Sequence, residues 1–351
     1  MNPRQSPPRK NAKNPHEPDN GLLEQRVKVL VTGGAGYVGS HAVRELLENG
    51  LDVVVYDNLS RGHRRLVQNC RLVEGDLGDA MRVRSALQGV EAVMHFAAMA
   101  HVGESVQQPQ KYFQNNVEAG LVFLDEVLEA GIRRFVFSSS CAVYGIPEKV
   151  PIGEDSPRRP VNPYGATKLF FEQALEAYDR AYGLRFASLR YFNAAGAHES
   201  GEIGELHEPE THLIPNVLLA AAGVKKEVEI HGNDYPTPDG TCVRDYVHVC
   251  DLAHAHALAL QALTAGGESM ELNLGTGKGH SVEEVLRAAE EITGRRIPRR
   301  YGPRRPGDPP VLVADPARAA NALGWKPKRG LHEIISTAWN WLLRGPLAGS
   351  A

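Results

Sequence analysis

The chain has 351 residues, 42% hydrophobic and 23% charged, with a formal net charge of -3. That is enough apolar material for one large α/β domain plus a smaller one, without the basic excess that a nucleic-acid partner requires. The four cysteines, Cys70, Cys141, Cys242 and Cys250, are scattered with no C-x-x-C pair, which fits reduced thiols in a cytoplasm and excludes a disulfide framework.

Residues 1–25 are rich in Pro, Asn and Lys/Arg and contain no apolar run. They are expected to be a disordered tail, not a secretory signal. No stretch approaches the roughly eighteen apolar residues of a membrane span.

From Arg26 onward, short β-branched runs alternate with helix-period stretches. The run 27–31 predicts a first strand and 37–47 the following helix, with Gly33, Gly36 and Gly39 in the turn between them. Lacking side chains, these glycines let the backbone approach a pyrophosphate, which the helix N-terminal N–H groups can then bind. A second strand over 53–56 ends on Asp57. Its carboxylate can accept hydrogen bonds from ribose hydroxyls and would repel a 2′-phosphate, so NAD is the expected cofactor. Arg61, Arg64 and Arg65 follow closely and leave NADP as the alternative.

Strands at 71–73 and 92–96 come next. Glu74-Gly75-Asp76-Leu77 falls where an adenine-facing loop is expected. His95-Phe96-Ala97-Ala98 falls at the carboxyl edge of the sheet, where small residues allow a dinucleotide to approach. A helix is expected over 112–130, then a strand at 135–137 leading into Ser138-Ser139-Ser140.

Asn162-Pro163-Tyr164-Gly165-Ala166-Thr167-Lys168 opens a helix reaching residue 182, and the i, i+4 spacing sets Tyr164 and Lys168 on one face. A tyrosine titrates near ~10 in peptides, too high for a base at neutral pH. A neighbouring ammonium and a positive nicotinamide ring are expected to lower it. Ser140 can relay a proton or hold a substrate oxygen beside Tyr164. After a strand at 186–189 the rhythm breaks at Asn193 into loops, short strands and scattered helices. The expected fold is therefore α/β, with a doubly wound parallel (Rossmann) sheet over 26–192 and a smaller α/β substrate domain over 193–345.

Nine segments stand in order along the chain. They are GGAGYVGSH from Gly33, YDNLSRGH from Tyr56, HFAAMAHVGESV from His95, NPYGATK from Asn162, RYFNAAGA from Arg190, THLIP from Thr211, DYPTPDGTCVRDYVHV from Asp234, NLGTGKGHSVEEV from Asn273 and RRPGDPP from Arg304. In these segments the chain resembles the extended short-chain dehydrogenase/reductase family, and within it the UDP-glucose 4-epimerases.

The resemblance implies reversible interconversion of UDP-glucose and UDP-galactose through a 4-keto intermediate, with NAD tightly bound. Tyr164, helped by Ser140, would take the proton of the sugar 4-hydroxyl while Lys168 holds the nicotinamide ribose. The implied NAD contacts are Gly33, Gly36, Tyr37, Val38, Gly39, Asp57, Asn58, Asp76, Leu77, Phe96, Ala97, Ala98, Asn115, Ser138, Tyr164, Lys168 and Tyr191. The implied UDP-sugar contacts are Ser140, Tyr164, Asn193, His212, Leu213, Arg244, Tyr246, Arg305, Asp308 and Leu312. Among these, Arg244 and Arg305 would grip the pyrophosphate, as a guanidinium fork can. Leu213 would face the uridine and Asp308 its ribose.

The pattern departs from some relatives at two places. Ala100 stands where they carry a lysine. Leu312 stands where a tyrosine favours plain hexoses and a small residue admits an N-acetyl group. UDP-N-acetylglucosamine and UDP-arabinose/xylose 4-epimerisation are therefore the alternatives. A 4,6-dehydratase is disfavoured, because Cys141 and Ala142 replace the acidic residue such enzymes need beside the serine. A non-catalytic NAD-binding protein is disfavoured because Tyr164, Lys168 and the arginines are all present. The helical stretches 112–130 and 164–182 match those that relatives pack into a homodimer. No metal is expected: His207, Glu208, Glu210 and His212 lack H-E-x-x-H spacing, and His254 and His256 stand at i, i+2 and point apart.

Overall fold

A computed structural model describes residues 27–305 and 307–345 of the chain; the expected N-terminal tail lies outside them. The first part alternates strands β1 (Lys28–Thr32), β2 (Asp52–Asp57), β3 (Arg71–Glu74), β4 (Ala92–His95), β5 (Arg134–Ser140) and β6 (Arg185–Tyr191) with helices. These are α1 (Tyr37–Glu48), α2 (Ala80–Ala86), α3 (Val102–Gln107), α4 (Pro109–Phe113), α5 (Ala119–Glu129) and α6 (Pro163–Tyr182). The second part carries strands β7 (Asn193–Ala195), β8 (Val228–His231), β9 (Val243–Arg244), β10 (Tyr246–His248), β11 (Met270–Leu274), β12 (His280–Ser281), β13 (Arg299–Gly302) and β14 (Val311–Leu312). Its helices are α7 (Leu213–Ala221), α8 (Val249–Thr264), α9 (Val282–Thr293), α10 (Ala317–Leu323) and α11 (Leu331–Arg344).

The main sheet runs β11-β6-β5-β4-β1-β2-β3, all parallel. Val29, Leu30 and Val31 of β1 are wholly buried, because helices cover both faces of the sheet, and this is why the strand is apolar throughout. Strand order reverses between β1 and β4, and the crevice at the carboxyl ends of these two strands is where such sheets bind ligands.

Two features differ from the sequence reading, and a third agrees with it. The seventh strand, β11, pairs with β6, and α8 packs against α1, β5 and β6. The sheet therefore recruits chain from beyond Asn193, and the layering does not follow a single cut there. The continuous helix expected over 112–130 is instead α4, a π-helical turn at Gln114–Glu118, and α5. The helix of 163–182 begins on a cap: the Asn162 side chain accepts from the Gly165 N–H at 2.8 Å, and Pro163 occupies the first turn. That cap fixes where Tyr164 and Lys168 emerge.

The remaining strands form three small sheets, β10-β7, β12-β9-β14 and β13-β8. Helices α7, α9 and α11 close over them around Ile214, Val217, Leu286, Ile334 and Ile335. Among the described residues no helix is long and apolar enough to cross a membrane.

Candidate active site

The glycine turn is shaped by close backbone approach. Gly33 has φ +69°, and a Cβ there would lie 2.5 Å from the Ala97 backbone nitrogen. A Cβ at Gly39 would lie 2.2 Å from the Gly33 carbonyl oxygen. The turn is thus pressed onto the end of β4, beside Phe96, Ala97 and Ala98. Helix α1 starts at Gly36 with no side chain capping its first N–H groups, which leaves them for an anion. These features fit a dinucleotide pyrophosphate. Tyr37 is buried and its hydroxyl donates to the Gly196 carbonyl at 2.6 Å, while Val38 stays half-buried.

Asp57 ends β2, buried, with one carboxylate oxygen accepting from the Ala35 N–H at 3.0 Å and the other from the Leu59 N–H at 2.8 Å. Burial raises its pKa, and the two N–H groups oppose that rise. The Asn58 amide donates to Asp76 at 3.0 Å, joining the loops after β2 and β3 above buried Leu77. Arg61 pairs with Glu104 at 3.0 Å, Arg64 with Glu74 at 2.5 Å, and Arg65 lies over the Trp341 ring. The three arginines that left a 2′-phosphate open are therefore engaged elsewhere, which favours NAD.

Ser140 at the end of β5 and Tyr164 and Lys168 on the first turns of α6 meet at the same edge. The Lys168 ammonium nitrogen donates to the Ser138 carbonyl at 2.7 Å and lies 5.9 Å from the Tyr164 ring centre. The Ser138 hydroxyl sits 2.5 Å from the Tyr191 hydroxyl. The expected lowering of the Tyr164 pKa is not found in the chain by itself. Burial pushes the phenol up to about 12, with only the neighbouring Ser140 hydroxyl working against it. Burial likewise pushes Lys168 down to about 7, against the nearby Glu172 carboxylate. In each case burial works against the charged form, and the chain offers little countercharge.

Asn116, Glu172 and Arg190, which were not singled out in the sequence, support this edge. Asn116, in the π turn, accepts from the Met99 N–H at 2.8 Å and donates to Thr167 at 3.0 Å, tying the segment after β4 to α6. The Asn115 amide donates to the Asn116 side chain at 2.9 Å. Behind Ser140, the Ser139 hydroxyl donates to Glu172 at 2.6 Å, and Arg190 holds both Glu172 oxygens at 2.8 Å. These partners lie 18 and 33 positions apart, so no local spacing marks them.

On the opposite wall, Arg244 of β9 is largely buried and pairs with Asp308. Burial works against the charged guanidinium, but the Asp308 carboxylate outweighs it and the Arg244 pKa is raised. Leu312 on β14 is in register with Arg244 and packs against the cluster of Val143, Tyr144, Ile152, Phe192 and Ala314. Tyr246 is buried beside this pair, and the Asn193 N–H donates to the Asp245 carbonyl at 3.0 Å. Arg305 is exposed and is not drawn into the Arg244–Asp308 pair. His212 precedes α7 and pairs with Glu205, and Leu213 begins that helix half-buried.

A family model described as the NAD dependent epimerase/dehydratase family matches residues 29–275. The UDP-glucose 4-epimerase of Lacticaseibacillus casei is 49% identical over 317 residues, spanning 89% of this chain and 96% of that protein. The crystal structure of UDP-glucose 4-epimerase from Brucella ovis in complex with NAD superposes with TM-score 0.88 at 50% identity, covering 89% of this chain and 97% of that one. A Stenotrophomonas maltophila UDP-glucose 4-epimerase structure, with bound NAD and formylated UDP-arabinopyranose, gives TM-score 0.89 at 43% identity, covering 92% and 100%. With a strand-to-helix glycine turn, an acid after the second strand and a Ser-Tyr-Lys edge at the switch point, this chain belongs to the NAD dependent epimerase/dehydratase family.

Proposed function

We propose that this chain interconverts UDP-glucose and UDP-galactose as an NAD-dependent isomerase of galactose metabolism and nucleotide-sugar supply. The observation that carries this reading is the convergence of Ser140, Tyr164 and Lys168 on the sheet edge that also holds the glycine turn. NAD, when bound, supplies reversible hydride acceptance at the sugar C4 and a positive ring beside Tyr164.

The chain's own part is proton handling and positioning. Tyr164 takes the proton of the 4-hydroxyl and returns it to the 4-keto sugar after that sugar has turned over. Ser140 holds the same oxygen, and Lys168, anchored on the Ser138 carbonyl, sets the cofactor ribose in register with the phenol. A positive nicotinamide ring beside Tyr164 would oppose the burial that raises its pKa and so favour the phenolate that accepts this proton. Arg244, Arg305 and Asp308 hold the UDP group, so the sugar can rotate without release.

Leu312, packed against the cluster of Val143, Tyr144 and Ile152, is intermediate in bulk between a tyrosine and a small residue, so UDP-N-acetylhexosamines belong among the sugars to be assayed. The enzyme forms a homodimer through α4, α5 and α6. Phe113 and Phe170, on the adjoining α4 and α6, are 42% and 45% exposed, as an unpaired apolar face would be. It works in the cytoplasm, in keeping with free thiols at Cys70, Cys141, Cys242 and Cys250.

The test is turnover of UDP-galactose, UDP-N-acetylgalactosamine and UDP-arabinose by the purified protein. Conversion of UDP-galactose to UDP-glucose is expected. Turnover of the pentose alone would move the assignment to a UDP-arabinose/xylose 4-epimerase.

A further inference from the structure

Beside the cleft, on the loop that ends at His212, one cluster of side chains gathers metal-type donors. Glu205, His207, Glu210 and His212 each offer an atom, and these atoms all lie within 4.8 Å of one another. The His207 Nδ1 stands 3.1 Å from Glu205 and 3.8 Å from Glu210, and the His212 Nδ1 stands 3.9 Å from Glu210 and in contact with Glu205. Four donors around a zinc ion at ~2.0 Å would be separated by about 3.3 Å, so loop side-chain rotations of about 1–2 Å bring these four into range of one ion.

A second observation points to an occupant. The His207 Nδ1 is a buried atom with no hydrogen-bond partner, despite the carboxylates around it. Glu210 is prepared in the same sense: one oxygen accepts the N–H groups of Thr211 and His212 at 2.8 Å each, leaving the other turned to His207.

We propose that Glu205, His207, Glu210 and His212 bind one divalent metal ion of the zinc class. Two imidazoles with two carboxylates suit Zn²⁺ and other N/O-binding transition metals, whereas Mg²⁺ and Ca²⁺ want oxygen ligands throughout. The pattern is E-x-H-x-x-E-x-H over eight positions. The absence of H-E-x-x-H, which led to the expectation of no metal, is not decisive here. The four donors come from a loop, so helical i, i+4 spacing is not the relevant geometry. Glu205 takes the place that the sequence reading gave to Glu208.

Bound there, the ion would pin the segment that leads into Leu213 against the cofactor side. The His207 ring lies edge-on to Tyr37 at 6.3 Å and to His101 at 5.8 Å, and the Trp341 indole N–H donates to the Glu205 carbonyl at 2.9 Å.

The experiment titrates Co²⁺ into the full-length, chelator-treated protein and follows the visible d–d absorption of low-coordinate cobalt, with Zn²⁺ competition and metal content per chain by mass spectrometry. One equivalent of Co²⁺ is expected, displaced by Zn²⁺. His207→Ala is expected to abolish the band, and Glu210→Gln to weaken binding about tenfold or more. Circular dichroism checks that each variant folds, and either variant alone suffices if the other fails. No d–d band and no retained zinc in the wild type would overturn the proposal, as would a band unchanged in both variants. None of these readouts uses sugar turnover, so the result stands apart from the assignment of the reaction.

Discussion

At the residue scale the machinery is legible where it is local. Gly33-x-x-Gly36-x-x-Gly39 and Tyr164-x-x-x-Lys168 are short patterns whose spacing is dictated by one turn or one helix face, and the structure brings both to the same edge. The charge states were not legible, because they depend on burial. Tyr164 is held near 12 and Lys168 near 7 by a pocket that no local spacing reveals. Replacing Tyr164 by Phe removes the proton acceptor while leaving the ring, so kcat is expected to fall by about 10²–10⁴-fold with NAD content unchanged. Parallel measurement of turnover and of nucleotide released on denaturation checks this; a fall of less than about tenfold would shift the role to Ser140. Gly39→Ala should act differently. Its Cβ would sit 2.2 Å from the Gly33 carbonyl oxygen, so the turn must open and NAD should be lost during purification, read as the absorbance of the extracted nucleotide.

At the element scale, the apolar runs of β1, β2, β4 and β5 read correctly as strands because both faces are covered. The π turn at Gln114–Glu118 and the recruitment of β11 did not, since each is decided by tertiary partners: Asn116 by Met99 and Thr167, β11 by β6. The same blindness hid the ionic link between α6 and the sheet. Arg190 and Glu172 have wholly buried side chains, and Arg190 also reaches Glu271 and Tyr144. Glu172→Gln leaves that guanidinium short of charge in a dry interior, and a loss of about 3–5 kcal/mol in unfolding free energy is expected from urea titration. A loss below about 1 kcal/mol would mean that Glu271 alone satisfies Arg190.

At the scale of the whole molecule, pH should act through histidines that composition counts but cannot place. His41, His95 and His248 are pushed down to about 3 and His256 to about 4, each mainly by burial. Their folded pKa values lie below the unfolded value, so the unfolded chain takes up more protons. The stability they provide is complete above about pH 6.5 and is lost as pH falls toward 4. Four such groups correspond to a limiting slope of about 5 kcal/mol per pH unit. His207 runs the other way: its raised pKa contributes stability fully present below about pH 6.5 and lost as pH rises through 9. Urea midpoints should therefore be highest near neutrality and drop steeply between pH 6 and 4.5; a flat profile over that acid range would contradict the burial of these rings. In the proposed reaction one site oxidises and re-reduces the same sugar carbon without letting go of it. Conversion of UDP-galactose carrying deuterium at C4, followed by mass spectrometry of the UDP-glucose formed, tests this directly. Retention of the label at C4 in essentially every product molecule is expected, and washout of the label, or its appearance in free NADH, would contradict it.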